Sequence, residues 1–311
     1  MRVVNYNSDI HKSQWDDFVQ RAKNSHFMFY RDYMEYHKDR FDDCSLLIFD
    51  DKNKLIALLP ANKKGDTLYS HQGLTYGGFL TTNKVATKDV LDSFDVLKTY
   101  LKENGFKKLI YKVIPYIYHK IPAQEDLYAL FRNEAKLYRA DVSSTVALQE
   151  ALIYRSSRSR SIKKAQEHKS IIKESNDYKK FFSIVNSRLE EKYKVKATHT
   201  AKEMELLSAR FPDNIKLFSM EYQGEIVAGA LLYLTETVVH AQYVFAKDIA
   251  RELRMTDVLV DFVIKKYPER KYFNFGNSNE DNGKILNEEL ISYKESFGAR
   301  ATIQEFYELN L

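Results

Sequence analysis

Apolar residues fall in short runs separated by polar turns, and the period of the pattern changes along the chain. Residues 45–50 read as a strand, 51–53 as a polar turn, 55–61 as a second strand and 67–70 as the start of a third. The design recurs at 215–222, a Gln223-Gly224 turn, 225–234 and 238–245, a longer three-strand meander. Leu46 and Leu217, Leu55 and Ile226, Ala57 and Ala228, and Leu68 and Val239 all stand at one offset of 171 residues.

Helical spacing frames both meanders. Ser13 with Asp16 makes a capping-box signature, with Trp15, Phe18, Val19 and Ala22 in helical register, and a second helix is expected near 31–40. After the first meander the pattern predicts a helix over 88–104 ended by Gly105, a strand at 108–113, a helix at 125–135 and a strand at 137–146. The second half repeats the order. A strand at 170–175, helices at 178–192 and 201–210, the meander, a helix at 255–267, a strand at 272–275, a helix ending at Phe297-Gly298 and a last strand at 301–309 complete it. This order predicts an α/β protein of two similar lobes, 1–150 and 151–311, each a mixed, largely antiparallel sheet flanked by helices.

Length and composition agree with that reading. A chain of 311 residues can bury two cores, and 44% hydrophobic residues describe a globular protein. The lone Cys44 excludes an internal disulfide and every multi-cysteine metal site; no metal is expected, and the cysteine usage fits a reducing cytoplasm. The N-terminus is too polar for a signal peptide, and no run approaches the ~20 apolar residues of a membrane span.

Charge is unevenly placed. Seven basic residues (Arg155, Arg158, Arg160, Lys163, Lys164, Lys169 and Lys173) face one acid, Glu167, whereas the whole chain is only +5. So local a cluster suits a small phosphate-bearing partner better than a stably bound nucleic acid. Arg158, Arg160, Lys163 and Lys164 are the candidate phosphate ligands, helped by the free N–H groups of a helix that Ser159 or Ser161 would cap. A solvated basic helix face is the plainer alternative.

Four segments carry a family resemblance. Arg-Ser-Ile-Lys-Lys-Ala (160–165), Gln-Gly-Glu-Ile-Val-Ala-Gly (223–229), Phe-Asn-Phe-Gly-Asn-Ser (273–278) and Tyr-Lys-Glu-Ser-Phe-Gly (293–298) resemble, in order, segments of the Fem-like transferases, two-lobed members of the Gcn5-related N-acyltransferase (GNAT) superfamily. The resemblance implies that a splayed sheet binds an acyl donor, with acyl-CoA expected, and that an amine attacks its carbonyl without a covalent enzyme intermediate. Such chemistry needs a neutral amine, a donor to the developing oxyanion and a proton for the leaving group. The resemblance also places Lys294 at the active site. Family members that bind coenzyme A usually carry a glycine-rich loop after the fourth strand; here residues 246–256 contain no glycine, and Lys247, Arg251 and Arg254 would have to supply charge instead.

Other candidates follow from local sequence. Residues 69–78 spend three of the ten glycines (Gly73, Gly77 and Gly78) beside His71 and Tyr76, where glycine would let a ligand approach the backbone and His71 could titrate near neutral pH. His199 precedes a helix that Thr200 can cap. Alternation puts His240 and Gln242 on one face of their strand and Tyr243 on the other unless a bulge intervenes. Asn277 and Ser278 open a polar loop after a strand. The reading is an N-acyltransferase acting on a phosphate-bearing amino sugar or cell-envelope precursor. Its rivals are an aminoacyl-tRNA-dependent Fem-type transferase and a non-enzymatic binding protein on this scaffold.

Overall fold

The computed structural model describes residues 1–311, the side chains of Lys192 and Tyr193 excepted. Strand β1 (Arg2–Asn5) leads into α1 (Ser8–Arg21), which Asn7 caps by accepting the Asp9 N–H at 2.9 Å. The expected capping pair therefore lies inside the helix. Its Asp16 carboxylate accepts the Arg31 N–H instead, at 2.9 Å. The helix expected there is broken into one α-turn, α2 (Arg31–Met34), continued by a 3-10 turn over Glu35–His37. Strands β2 (Asp42–Asp43), β3 (Leu46–Phe49), β4 (Leu55–Leu59), β5 (Asn62–Lys64), β6 (Thr67–Tyr69) and β7 (Leu80–Thr81) precede α3 (Thr87–Glu103), β8 (Lys108–Lys112), α4 (Glu125–Arg132) and β9 (Lys136–Ala147).

The second half runs α5 (Ser156–Gln166), β10 (Ile171–Ser175), α6 (Tyr178–Tyr193), α7 (Ala201–Arg210), β11 (Ile215–Tyr222), β12 (Glu225–Leu234) and β13 (Val238–Ala246). It continues through α8 (Asp248–Glu252), α9 (Met255–Lys265), β14 (Tyr272–Asn277), β15 (Asn279–Glu280), β16 (Ile285–Leu286), α10 (Glu288–Glu295) and β17 (Arg300–Asn310). Among the described residues no helix is long and apolar enough to cross a membrane.

The compact units are not two consecutive halves. One comprises Met1–Val142, Asn279–Ile285 and Ile303–Leu311; the other comprises Ser143–Ser278 and Leu286–Thr302. The division expected at residue 150 differs because the end of β17, Phe306 to Asn310, pairs antiparallel with β8 in the first unit. In that unit β1, β3, β4 and β7 form one antiparallel sheet, while β6 lies parallel to β8 and antiparallel to β5. The expected third strand of the first meander is thus not a neighbour of the second. The chain passes from β4 straight into β5, and β5 takes the pairing edge of β6. Leu46, Ile48, Phe79, Phe94, Leu97, Leu109 and Leu309 lie in the core of this unit.

The second unit keeps its meander intact. Strands β10 to β13 are consecutive antiparallel neighbours, β14 lies parallel to β13, and the end of β9 lies antiparallel to β14. Ile162 of α5 and Leu259, Val260 and Val263 of α9 pack with Met220, Ala228, Leu232 and Phe273 of the sheet. Burial at this scale contributes roughly 1.5–3 kcal/mol per large apolar side chain.

Candidate active site

The sheet of the second unit opens at one place. Parallel pairing between β13 and β14 covers Val238–Tyr272, Val239–Phe273 and His240–Asn274 and then stops. One register shift in β13 opposite Leu231 and Leu232 leaves Gln242 as an extra residue, the bulge that the alternation argument required. Val239, Ala241, Val244 and Ala246 pack on the α9 side of the sheet. His240 and Tyr243 consequently share the other face.

A polar network fills the mouth of the opening. Asn274 Oδ1 accepts the Gly276 N–H at 2.8 Å and lies 3.0 Å from His240 Nδ1. Asn274 Nδ2 donates to Ser143 Oγ (2.8 Å) and Thr145 Oγ1 (2.9 Å), and Thr302 bonds Thr145 at 2.8 Å. Burial pushes the His240 ring down to about 4, against the opposing effect of Asn274, so the ring is neutral at physiological pH. Lys294, only 6% exposed, ends α10 and donates to Gly276 O (2.9 Å) and Asn277 O (2.7 Å). Burial lowers its ammonium to about 7. Asn277 itself is exposed, while Ser278 is buried, with a hydroxyl that has no partner among the described residues.

The basic segment divides into two parts. Arg158 is internal: it pairs with Asp257, donates through Nε to Ser296 Oγ at 2.8 Å, and lies over the Tyr293 and Phe297 rings at 4.5 and 4.6 Å. Asp257 also accepts from Ser161 Oγ (2.8 Å) and Tyr293 Oη (3.2 Å). Arg158 is therefore a structural bolt joining α5, α9 and α10 rather than a phosphate ligand. The helix begins at Ser156, so neither Ser159 nor Ser161 caps it, and Arg155 at the cap makes no side-chain capping bond. Arg160, Lys163 and Lys164 are exposed on the face opposite Ile162 and Ala165, which is the geometry of the solvated-face alternative.

His199 and Tyr243 form a pair, with Nδ1 and Oη 2.9 Å apart and rings at 90°. The expected Thr200 cap holds the histidine in place: Thr200 Oγ1 accepts the Glu203 N–H at 3.2 Å, and Glu203 accepts the Thr200 N–H at 2.7 Å. Beside α6, Ser183, Ser187, Arg188, Glu191, Lys247 and Asp248 line a cavity of about 330 Å³. Its cations already have acidic partners. Lys247 pairs with Glu225 at 3.0 Å, and Asp248 lies 3.5 Å from Arg188 and 3.2 Å from Arg251. Arg254 is exposed at the start of α9.

The glycine-rich loop of the first unit serves its own packing. A Cβ on Gly77 would strike the Ser70 carbonyl, and one on Gly78, which also has φ +89°, would strike the Tyr111 ring. The close approach is made by the chain itself, so these glycines do not point to a ligand. Tyr76 is buried against His26 and Tyr118, with ring centroids 5.1 and 4.4 Å away, and burial raises its phenol well above the usual range. His71 accepts the Gly73 N–H at 3.1 Å, and burial pushes its ring down to about 3. It is not the near-neutral base expected from the sequence.

Burial of these rings predicts acid lability. His71, His119 and His240 have folded values of about 3, 4 and 4, below the unfolded value of about 6.5. The unfolded chain binds more protons below pH ~6.5, so the stability present above that pH is lost as pH falls toward 4. At pH 5 each ring costs roughly 2 kcal/mol relative to pH 7.5. His71→Gln should remove about that much of the difference between urea unfolding curves at the two pH values; an unchanged difference would refute the assignment.

Known proteins converge on the same fold. Residues 154–294 match the family described as Acetyltransferase (GNAT) domain. The FemX crystal structure superposes with a TM-score of 0.71 at 11% identity, covering 100% of this chain and 98% of that one. L-PGS from Bacillus licheniformis gives 0.63 at 12% identity, covering 98% and 92%. A tandem GNAT protein of the clavulanic acid biosynthesis pathway gives 0.53 at 9% identity, covering 99% and 98%. No curated protein matches the sequence. Residues 154–294 thus match a GNAT acyltransferase domain, and the chain as a whole shares the fold of FemX and of the tandem GNAT protein.

Sequence reasoning missed Asn274, Ser143, Thr145, Thr302 and Asp257. A signal existed for two of them: Asn274 is the one amide between Phe273 and Phe275, and Asp257 interrupts the apolar face of α9.

Proposed function

We propose that the protein moves an acyl group from a thioester donor such as acyl-CoA to the amine of a phosphate-bearing amino sugar or cell-envelope precursor in the cytoplasm. The observation that carries this reading is the end of β13–β14 pairing after three residue pairs, beside buried Lys294 and His240. The acyl carbonyl would enter the opening, where Lys294 donates to the oxygen as negative charge develops. Tyr243 and His199 share the His240 side of β13 and would contact the acceptor.

An aminoacyl-tRNA donor is the second reading. The glycine-free loop after β13 favours it, because Lys247 and Arg251 are already paired with acids and offer little to a coenzyme A pyrophosphate. FemX and L-PGS share the fold; α6 and α7 are two ordinary helices that leave no place for the long helical arm usual in Fem-type transferases, which counts against this reading. Thermal shift with acetyl-CoA, longer acyl-CoAs and aminoacyl-tRNA separates the donors, since a ligand of the folded state raises Tm by mass action. A protein stabilised by none of them would favour the non-enzymatic binding role.

For the acceptor, exposed Arg160, Lys163 and Lys164 would attract phosphate. Their triple alanine variant should raise the acceptor KM about tenfold at low salt and much less at 0.5 M salt, where the attraction is screened. An unchanged KM at low salt would make this face merely solvated.

A further inference from the structure

We propose that Asn274 is the positioning residue for Lys294, the side chain that holds the turn to which the lysine is bonded. The inference rests on the transfer reading above and adds a residue to it. Strand β14 leaves regular pairing with β9 after Asn274: Asn274 opposes Thr145 and Asn277 opposes Ser143, so one extra residue is accommodated between them. The chain turns there, and Gly276 takes φ +73° in the left-handed region. Lys294 Nζ donates to the two carbonyls that this turn presents, Gly276 O and Asn277 O.

Asn274 closes the turn from inside. Its Oδ1 accepts the N–H of Gly276, two residues on, at 2.8 Å, the local bond by which an asparagine side chain stands in for backbone pairing. A backbone N–H can only donate, so this bond fixes Oδ1 as the acceptor and leaves Nδ2 to donate to Ser143 Oγ and Thr145 Oγ1. His240 Nδ1, 3.0 Å from Oδ1, takes the second acceptor position. One amide thus spends both donors and both acceptors to tie β9, β13 and the turn to a single point. Asn274 is 2% exposed, so water has little access to these bonds.

The chain of bonds ends at the ammonium. Asn274 fixes the peptide before Gly276, and Ser278 O accepts the Asn287 N–H at 2.9 Å on the far side of the turn, ahead of α10. The two carbonyls between those ties have a set direction, and they take two of the three hydrogens on Nζ. The third is left for the oxygen of the acyl carbonyl, where a donor is effective only at fixed geometry. Without the amide, the near tie is lost while α10 keeps its start, so the lysine stays in the site but loses its aim.

A comparison of two backgrounds tests the assignment, with acetyl-CoA or aminoacyl-tRNA as donor, whichever the wild type uses. Asn274→Leu should lower kcat by about 10² with acceptor KM changed less than about threefold. The same change in Lys294→Met protein should lower kcat less than about threefold, because the lysine it positions is gone. An asparagine that only supports the fold would lower both backgrounds by the same factor, and that result overturns the proposal. If leucine prevents folding, Asn274→Asp takes its place: it keeps the size and the acceptor for Gly276 but adds a negative charge that stabilises the Lys294 ammonium. The alkaline limb of the pH–rate profile should then move up by about one pH unit, and an unmoved limb overturns the proposal. That charge would also meet the His240 ring from β13, which titrates on the acid side, while β9 and β17 bring the hydroxyls of Ser143, Thr145 and Thr302. Wild-type protein that transfers from neither donor sinks the transfer reading and this proposal together. An active wild type whose rate depends on Lys294 but not on Asn274 sinks only the proposal.

Discussion

Lys294→Met should lower kcat by a factor on the order of 10² to 10³, the usual loss when one donor to a developing oxyanion is removed. Methionine keeps most of the stem volume and removes the charge, so the effect should fall on turnover more than on acceptor KM. The cost to folding has opposing parts. The Gly276 and Asn277 carbonyls lose their donor, while an amine that burial holds at about 7 no longer has to be desolvated. The pH profile gives a second check with a definite sign. An ammonium pushed down to about 7 loses its proton as pH rises through that value, so the Lys294-dependent part of the rate should fall on the alkaline side. A Met variant with wild-type kcat and the same alkaline limb would remove Lys294 from the chemistry.

Asp257→Ala should destabilise the second unit by about 3–5 kcal/mol, because it leaves the buried Arg158 guanidinium without its counter-charge. Arg158 is 10% and Asp257 3% exposed at the side chain, so water can replace little of the lost interaction. Removing both charges is a different experiment. A double replacement by leucines of similar bulk should cost much less than the two single changes added together, and chemical unfolding of the four proteins of the cycle measures that coupling. Additive losses would mean that the pair contributes through its separate contacts, the aromatic rings over Arg158 and the Ser161 and Tyr293 hydroxyls on Asp257.

Much of the second unit was legible because its signals are local. Strands β11 to β13 follow alternation and turn chemistry closely, and the Thr200–Glu203 box marks the start of α7. The first unit was harder. Nothing within the 67–70 segment says that β5 will take its pairing edge, since that choice depends on the path from β4. The site divided on the same line. Lys294 became a candidate because a contiguous motif carries it, and the bulge at Gln242 was foreseen as a condition though not as a fact. Asn274, Thr145 and Thr302 come together from three distant segments, and no spacing rule links them. Charge counting erred in one direction: Arg158 scored as surface positive charge, yet a carboxylate 99 positions further on neutralises it inside the fold.

The path of β17 also bears on how the protein is made. A chain emerging from the ribosome N-terminus first presents Met1–Val142 early, yet that unit holds β8 beside a strand ending at Asn310. Until that strand emerges, the outer edge of β8 offers unpaired backbone groups to any neighbouring chain. Synthesis at ~5–20 residues per second leaves the edge open for roughly 10–40 seconds. The first unit to be translated is thus among the last to be completed, and during that interval it depends on dilution or a chaperone rather than on its own fold.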